Sequence, residues 1–453
     1  MFTTLTKSFG AAAVLALVTQ AGHAEDQDKG EGALARWLLG PGLERDHGIR
    51  IAGLLDLGYA RNNRSNADER EDGLSNLPLT GFSDEGLELA SLHLFVDKPL
   101  VANVIPRVTP LPGPAPEAVS FGFSLETFYG RNAEFARTYG WDMHWGVNSP
   151  GDDDPERARR DKQRFVATPN LFAAVYLPYG TGISLMAGIF GPALGYEIPP
   201  NIREARNPFA SKTYAFVSEP STVAGVLAST RLYNGDRSLL GAEIGVVQGR
   251  NNLRDNNPGK SVLGALRWRT ADLQTWVDYE FMLGDEQNHD LDDVQAPSAR
   301  LVSPDGQLRQ QHSLNAWHAF DARWSMGAEA VYGRQSGDGK AHTVDIVTGP
   351  GFAGASWWGV NGVVTYQYRK DLSFSARAEH FRDRDAFVLF PTSNARGDFN
   401  AVTVGLRWDA TRHISLRPEL RYDLFDPLYN DRVYGNGRDR SQLSGLIEAL
   451  VYF

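Results

Sequence analysis

Hydrophobic and polar residues alternate with a period of two through much of this chain. The cleanest stretch is 413–424. Ile414, Leu416, Pro418, Leu420, Tyr422 and Leu424 share one parity; Ser415, Arg417, Glu419, Arg421 and Asp423 share the other. Successive side chains of a strand point to opposite faces, so this segment carries one apolar and one charged wall. The design recurs where Val402, Val404, Leu406 and Trp408 oppose Thr403, Arg407 and Asp409. It recurs where Leu273, Val277, Tyr279 and Phe281 oppose Gln274, Asp278 and Glu280, and where Leu372, Phe374, Ala376 and Ala378 oppose Ser373, Ser375, Arg377 and Glu379. Phe121, Phe123 and Leu125 oppose Ser124 and Glu126 in the same way. Two segments depart from it: Leu446 and Leu450 share a face with Glu448, and 86–97 alternates poorly and is expected to shift register.

The pattern predicts strands near 49–60, 86–97, 119–130, 170–178, 182–190, 222–233, 239–249, 261–269, 273–283, 312–323, 326–335, 356–368, 371–382, 400–409, 413–424 and 442–453. That is about sixteen, an even number, as single-chain bacterial barrels have. Tight turns at 179–181, 233–236, 270–272, 325–326, 369–370 and 410–412 alternate with long polar segments around 61–85, 131–169, 191–221, 250–260, 284–311, 336–355, 383–399 and 425–441. Short turns at one end and long loops at the other, with no helical domain between, predict an all-β fold. The expectation is a transmembrane antiparallel β-barrel with apolar residues to lipid and polar residues to the lumen. One connection breaks the rule: 98–118 is a long Pro-rich periplasmic link that cannot join a ladder. Residues 33–43 form a short helix, a segment entering the lumen or a loosely held lead.

Composition places the barrel in a compartment. Residues 1–24 read as a signal peptide, with Lys7 as the only charge, an apolar run at 11–18, and Gly22 and Ala24 before the cleavage site. The apolar run is too short to span a bilayer. The expected division is a signal at 1–24, a periplasmic lead at 25–48 and a barrel at 49–453. Loss of Lys7 moves the net charge from −10 to −11, which argues against a nucleic-acid partner. There is no cysteine, so disulfides and thiolate metal sites are excluded. Mean hydropathy is −0.34 although aromatics make up 11% of residues, a combination expected when only alternate residues face lipid. The last strand ends in Phe453, the terminal aromatic that marks bacterial outer-membrane barrels and addresses them to the barrel-assembly machinery.

Candidate functional residues follow from this geometry. The loop after the fifth strand holds Pro and Gly, which stop it extending the strands, and apolar residues Leu194, Ile198, Ile202 and Phe209 able to pack on an inner wall. Folded inward, it would place Glu197, Arg203, Glu204, Arg206, Lys212 and Glu219 at a constriction; an ordinary surface loop is the alternative. The lumen row carries Arg267, Arg269, Arg323, Arg377, Arg407, Arg417 and Arg421 against Asp278, Glu280, Asp321, Glu379, Glu419 and Asp423. Opposed signs would set up a transverse field that screens solutes; mutual pairing that merely satisfies the interior is the other reading. Tyr59, Tyr129, Tyr176, Tyr179, Trp268, Tyr279, Trp324, Tyr332, Tyr366, Tyr368, Trp408 and Tyr422 fit interfacial girdles. Trp276 and Trp317 take the polar parity and are the candidates for stacking a sugar inside. The acidic runs 152–154 and 290–293 match no calcium-loop spacing and read as solvated faces. No metal-ligand pair, nucleophile elbow or phosphate-binding loop stands in context, so neither cofactor nor catalytic residue is expected.

Several segments resemble the OmpL-like β-barrel porin family: 88–99 followed by 121–141, then Ile189-Phe190-Gly191 through Gly195-Tyr196-Glu197, Asn207-Pro208-Phe209-Ala210-Ser211, 214–216 and 219–227. The resemblance covers roughly residues 50–270 and implies an outer-membrane channel. The 98–118 link is longer than that family leads one to expect. Trp37-Leu38-Leu39-Gly40, leading into the first strand, resembles carbohydrate-selective porins more weakly. The expected function is passive diffusion of small hydrophilic solutes through a barrel embedded in outer-membrane lipid and lipopolysaccharide, with a homotrimer as the assembly. A sugar-selective channel, a plugged structural or adhesive barrel, and a barrel lipase or protease are the rivals.

Overall fold

The computed structural model describes residues 32–64, 82, 85–108, 110–143, 145, 165–192, 194–197, 207–254, 259–286, 308–337, 354–389, 395–435 and 437–453. The signal segment, Arg203, Glu204, Arg206 and both acidic runs lie outside these residues.

Sixteen strands close into one ring. They are β1 (Arg50–Asn62), β2 (Gly86–Lys98), β3 (Ser120–Tyr129), β4 (Val166–Leu177), β5 (Ile183–Phe190), β6 (Val223–Asn234), β7 (Ser238–Val247) and β8 (Ser261–Thr270). The second half holds β9 (Thr275–Asp285), β10 (Leu308–Ala319), β11 (Trp324–Ser336), β12 (Gly354–Arg369), β13 (Leu372–Asp383), β14 (Gly397–Thr411), β15 (Ile414–Pro427) and β16 (Ser441–Tyr452). Every strand pairs antiparallel with its chain neighbours, and β1 pairs with β16, Leu54 standing opposite Tyr452. The ring therefore leaves no unpaired edge. Among the described residues no helix is long and apolar enough to cross a membrane; the strands do the crossing.

Parity sorts the side chains as the sequence predicts. Leu420, Tyr422, Val402, Val404, Phe374, Leu266 and Val226 point outward and are exposed, a belt that only lipid can cover. The expected girdle aromatics also face out, except Tyr176. That ring is buried on the inward face, and its hydroxyl donates to the Pro116 carbonyl at 3.1 Å. The poorly alternating second strand carries a bulge against Asp56 and Leu57, which restores inward parity for Glu88 and His93. In β16, Leu446, Glu448 and Leu450 all point inward; Leu450 packs with Ala52, Leu54, Phe95 and Tyr452 in an apolar patch on the inner wall.

Two lumen candidates require correction. Asp321 and Arg323 are exposed in the short turn between β10 and β11, because the turn falls at 320–323 rather than at 325–326. Asp321 caps it, accepting from the amides of Arg323 (2.7 Å) and Trp324 (2.8 Å). The lead before β1 forms two short helices, α1 (Ala33–Leu39) and α2 (Gly42–His47), tied to the rim where the Gly32 amide donates to the Phe453 carbonyl at 3.1 Å.

Candidate functional site

The interior is occupied from both ends. The segment between β5 and β6 enters from the long-loop side. Gly195, at φ 111°, makes its inward bend; a side chain there would collide with the Glu219 carboxyl, so glycine is needed for backbone and space alike. An irregular segment crossing a lumen exposes main-chain amides that need acceptors, and carboxylates of the wall supply them. Gly195 donates to Glu280 (2.8 Å), Tyr196 to Glu329 (3.2 Å), Ala210 to Glu419 (2.9 Å) and Tyr214 to Glu379 (2.7 Å). Guanidiniums bind its carbonyls: Arg417 reaches that of Asn207 (2.6 Å), Arg377 that of Ser211 (2.9 Å) and Arg421 that of Lys212 (3.0 Å). Thr213 then caps a one-turn helix, α4 (Tyr214–Val217), its hydroxyl accepting from the Phe216 amide at 3.2 Å.

The predicted constriction residues separate accordingly. Glu197 pairs with Arg377 at 2.7 Å and accepts from the Thr213 amide at the same distance. Lys212 is buried, with its ammonium 5.5 Å from the centre of the Phe216 ring. Glu219 is buried beside Glu329, Glu197 and Glu280; burial first, then those negative charges, push its carboxyl well above the usual range. Arg250, in the loop after β7, donates to the Ser218 carbonyl at 2.6 Å, and burial lowers its guanidinium to about 10.

The lumen row resolves into paired clusters. Arg267 lies among Glu243 (3.3 Å), Asp278 (2.6 Å) and Glu280 (2.6 Å), and Arg269 pairs with Asp278. Arg421 binds Glu379 and Asp423, each at 2.8 Å, and Arg417 pairs with Glu448. Arg407 sits nearer the short-turn end, 3.1 Å from Asp409. Tyr214 donates to Asp423 at 2.6 Å and shares a 2.5 Å bond with Tyr434 of the β15–β16 loop, so a second loop braces the insert from above. Trp276 is covered by Tyr196, ring centres 5.9 Å apart, and Trp317 is 3% exposed. The charged wall is thus largely saturated by the insert and by itself.

The second insert has no counterpart among the sequence candidates. The Pro-rich link between β2 and β3 does not join the ladder; it turns up into the barrel from the short-turn side. Ser184 donates to the Val104 carbonyl (2.5 Å), Asn103 to that of Thr181 (2.8 Å), and Arg231 to those of Leu111 (2.9 Å) and Gly113 (2.7 Å). Arg107, at φ 71°, gives its amide to Glu243 (2.7 Å) and its guanidinium to Asn170 (3.2 Å) and the Gly191 carbonyl (2.9 Å). It also lies 5.0 Å over Phe172. Glu243 and Glu329 were legible as inward residues by parity alone; Arg107 was not, because a link without periodicity gives no direction to a side chain.

Comparison with known proteins agrees with this geometry. A family model described as "Putative beta-barrel porin-2, OmpL-like" matches residues 48–453. A search of curated proteins finds no match. Solved structures share the fold at low identity. Salmonella typhi OmpF, solved as a complex with daunomycin, is 10% identical over 89% of this chain and 97% of its own, with a TM-score of 0.50. Pseudomonas putida OprB is 9% identical over 92% of this chain and 97% of its own, also at 0.50. The outer membrane channel DcaP of Acinetobacter baumannii is 10% identical over 89% and 97%, at 0.49.

Proposed function

The chain belongs to the OmpL-like β-barrel porin-2 family and is an outer-membrane porin channel; from that premise we propose that it passes small hydrophilic solutes by passive diffusion through a narrow, guarded lumen. The observation that carries this reading is the β5–β6 insert, whose main chain is held across the lumen by Glu280, Glu329, Glu379 and Glu419. Passage depends on that insert giving way, so conductance is low and charge-screened rather than that of a wide pore. The proposed constriction set is Glu197, Lys212 and Glu219 on the insert with Arg377, Arg417 and Arg421 on the wall; Arg203, Glu204 and Arg206 are added to it from the sequence alone. Phe453 is the proposed assembly signal and a homotrimer the proposed assembly, embedded in lipid and lipopolysaccharide.

A second reading, a sealed structural or adhesive barrel, draws on one observation: Lys212, Arg417 and Arg421 are at most 1% exposed. Against the sugar-selective reading, Trp317 is buried and the Trp276 ring is engaged by Tyr196 and by Arg269, 5.3 Å from its centre. Single-channel recording of the refolded protein in a planar bilayer under a salt gradient separates the readings. Stepwise conductance with a defined reversal potential supports a guarded channel; silence from verified, folded barrels sinks it in favour of the sealed one.

A further inference from the structure

The outer wall carries a recess that the lumen does not use. Inward parity on β5 and β6 belongs to Met186, Phe190, Val223 and Leu227, which pack in one buried cluster. Ile189 and Ala224 therefore point outward, toward lipid, yet they are only 3% and 1% exposed. What covers them is a roof made by two loops of the extracellular rim. The first follows α3 (Ala133–Ala136) and the second follows β7. They are stitched together by the Tyr139 amide to the Asn251 carbonyl (2.6 Å) and the Leu253 amide to the Tyr139 carbonyl (2.9 Å). Asp142 fixes the roof to the wall, accepting from the amides of Thr138 and Thr168, both at 2.6 Å. Beneath it is a cavity of about 320 Å³ lined by Trp141, Leu171, Ile189, Ala224, Gln248 and Leu253.

Three features define what fits. The lining is almost wholly apolar, and the volume lies in the range of small-ligand sites, about 300–1,000 Å³. The recess lies on the lipid-facing side of the wall. One register step toward the short-turn end, about 7 Å for two residues, Ala173, Ala187, Val226 and Val246 stand side by side across β4–β7, all outward and exposed. The two alanines make the lower lip of the recess its least bulky part. Finally, the indole Nε1 of Trp141 and the side-chain oxygen of Gln248 are buried with no hydrogen-bond partner among the described residues. A buried donor and a buried acceptor left unmet are costly, so the occupant should bring one of each.

We propose that this recess holds one acyl chain of an outer-leaflet saccharolipid, amide-linked and hydroxylated near its head, as in lipid A. Its hydrocarbon leaves the recess over Ala173 and Ala187; its carbonyl accepts from Trp141 Nε1, and its amide or hydroxyl donates to Gln248 Oε1. Arg254, exposed one residue beyond Leu253, stands on the head-group side. An ester-linked glycerophospholipid supplies the chain and the carbonyl but no donor beside it. This inference rests on the membrane-embedded barrel and not on what crosses the lumen.

The test is native mass spectrometry of the full chain after reconstitution in vesicles containing equal mole fractions of lipid A and phosphatidylethanolamine, with heat-modifiable gel migration as the check on folding. The wild type should retain one lipid A per barrel. Ala224→Trp, which fills the recess, should abolish retention. Trp141→Phe keeps the ring, removes only the N–H, and should lower retention about fivefold. Absence of bound lipid A on the wild type, unchanged retention in both folded variants, or equal retention of phosphatidylethanolamine would each overturn the assignment.

Discussion

Arg107 donates to the Gly191 carbonyl at 2.9 Å, and that one bond joins two inserts that enter the barrel from opposite ends. Arg107 belongs to the link from the periplasmic side, and Gly191 is the root of the segment that crosses the lumen from outside. Neither insert is seated alone.

Arg107→Met should therefore loosen both. The ring of strands stays closed, because no ladder bond involves this side chain. Two hydrogen bonds from a charged group are lost, worth about 3–6 kcal/mol together. The expected outcome is larger and noisier single-channel conductance with unchanged heat-modifiable migration. Conductance equal to wild type would show that the two inserts are independent.

Arg421→Met removes the clamp on the Lys212 carbonyl and leaves Glu379 and Asp423 short of a cation in a buried cluster. Breaking one partner of a buried pair costs about 3–5 kcal/mol. The barrel should unfold at lower denaturant concentration. Its reversal potential in a salt gradient should move toward cation preference, since a positive charge leaves the constriction.

Opening should depend on pH through Glu219. Its carboxyl is raised well above the ordinary 4.5, chiefly by burial and then by Glu329. A carboxyl raised in the seated state stabilises that state fully below about pH 4.5, and the contribution fades as pH climbs toward the raised value. Open probability should increase as pH climbs above about 4.5 toward the raised value, and Glu219→Gln should flatten that rise. A rise that survives the substitution would move the titration to another group.

Gly195→Val tests the inward bend. A valine strains φ 111° and strikes the Glu219 carboxyl. The insert should be displaced while the strands remain paired. Proteolysis in intact vesicles should then cut the β5–β6 loop at least several-fold faster than in wild type, as expected for a segment whose local opening has become easier. Equal cleavage rates would mean that the bend tolerates the change.

Much of the barrel was written in the alternation of residues. The strand count, the inward row from Arg267 to Asp423 and the outward belt follow from a period of two, which sheet geometry imposes on every strand. The turn at 320–323 escaped because Asp321 and Arg323 continue the alternation of β10 while Asp321 caps the turn. For the 191–221 loop, its apolar residues and its Pro and Gly allowed an inward fold beside an ordinary surface loop. The pairing of its amides with Glu280, Glu329, Glu379 and Glu419 was not legible, since partners in a closed ring are set by circumference and not by sequence distance. The Pro-rich link was legible as an exception to the ladder but not as an insert, because nothing local distinguishes a link that hangs below a barrel from one that turns up into it.

The long reach of the β5–β6 insert also ties its seating to the closed ring. Ala210 finds its acceptor on Glu419, 209 residues further along the chain, and Tyr214 finds Asp423 at the same separation. Those acceptors stand on β15, next to the strand that closes the ring against β1. A sheet that lacks β15 has no site on which to seat the crossing segment. Guarding of the passage is therefore a property of the paired wall and not of the loop alone.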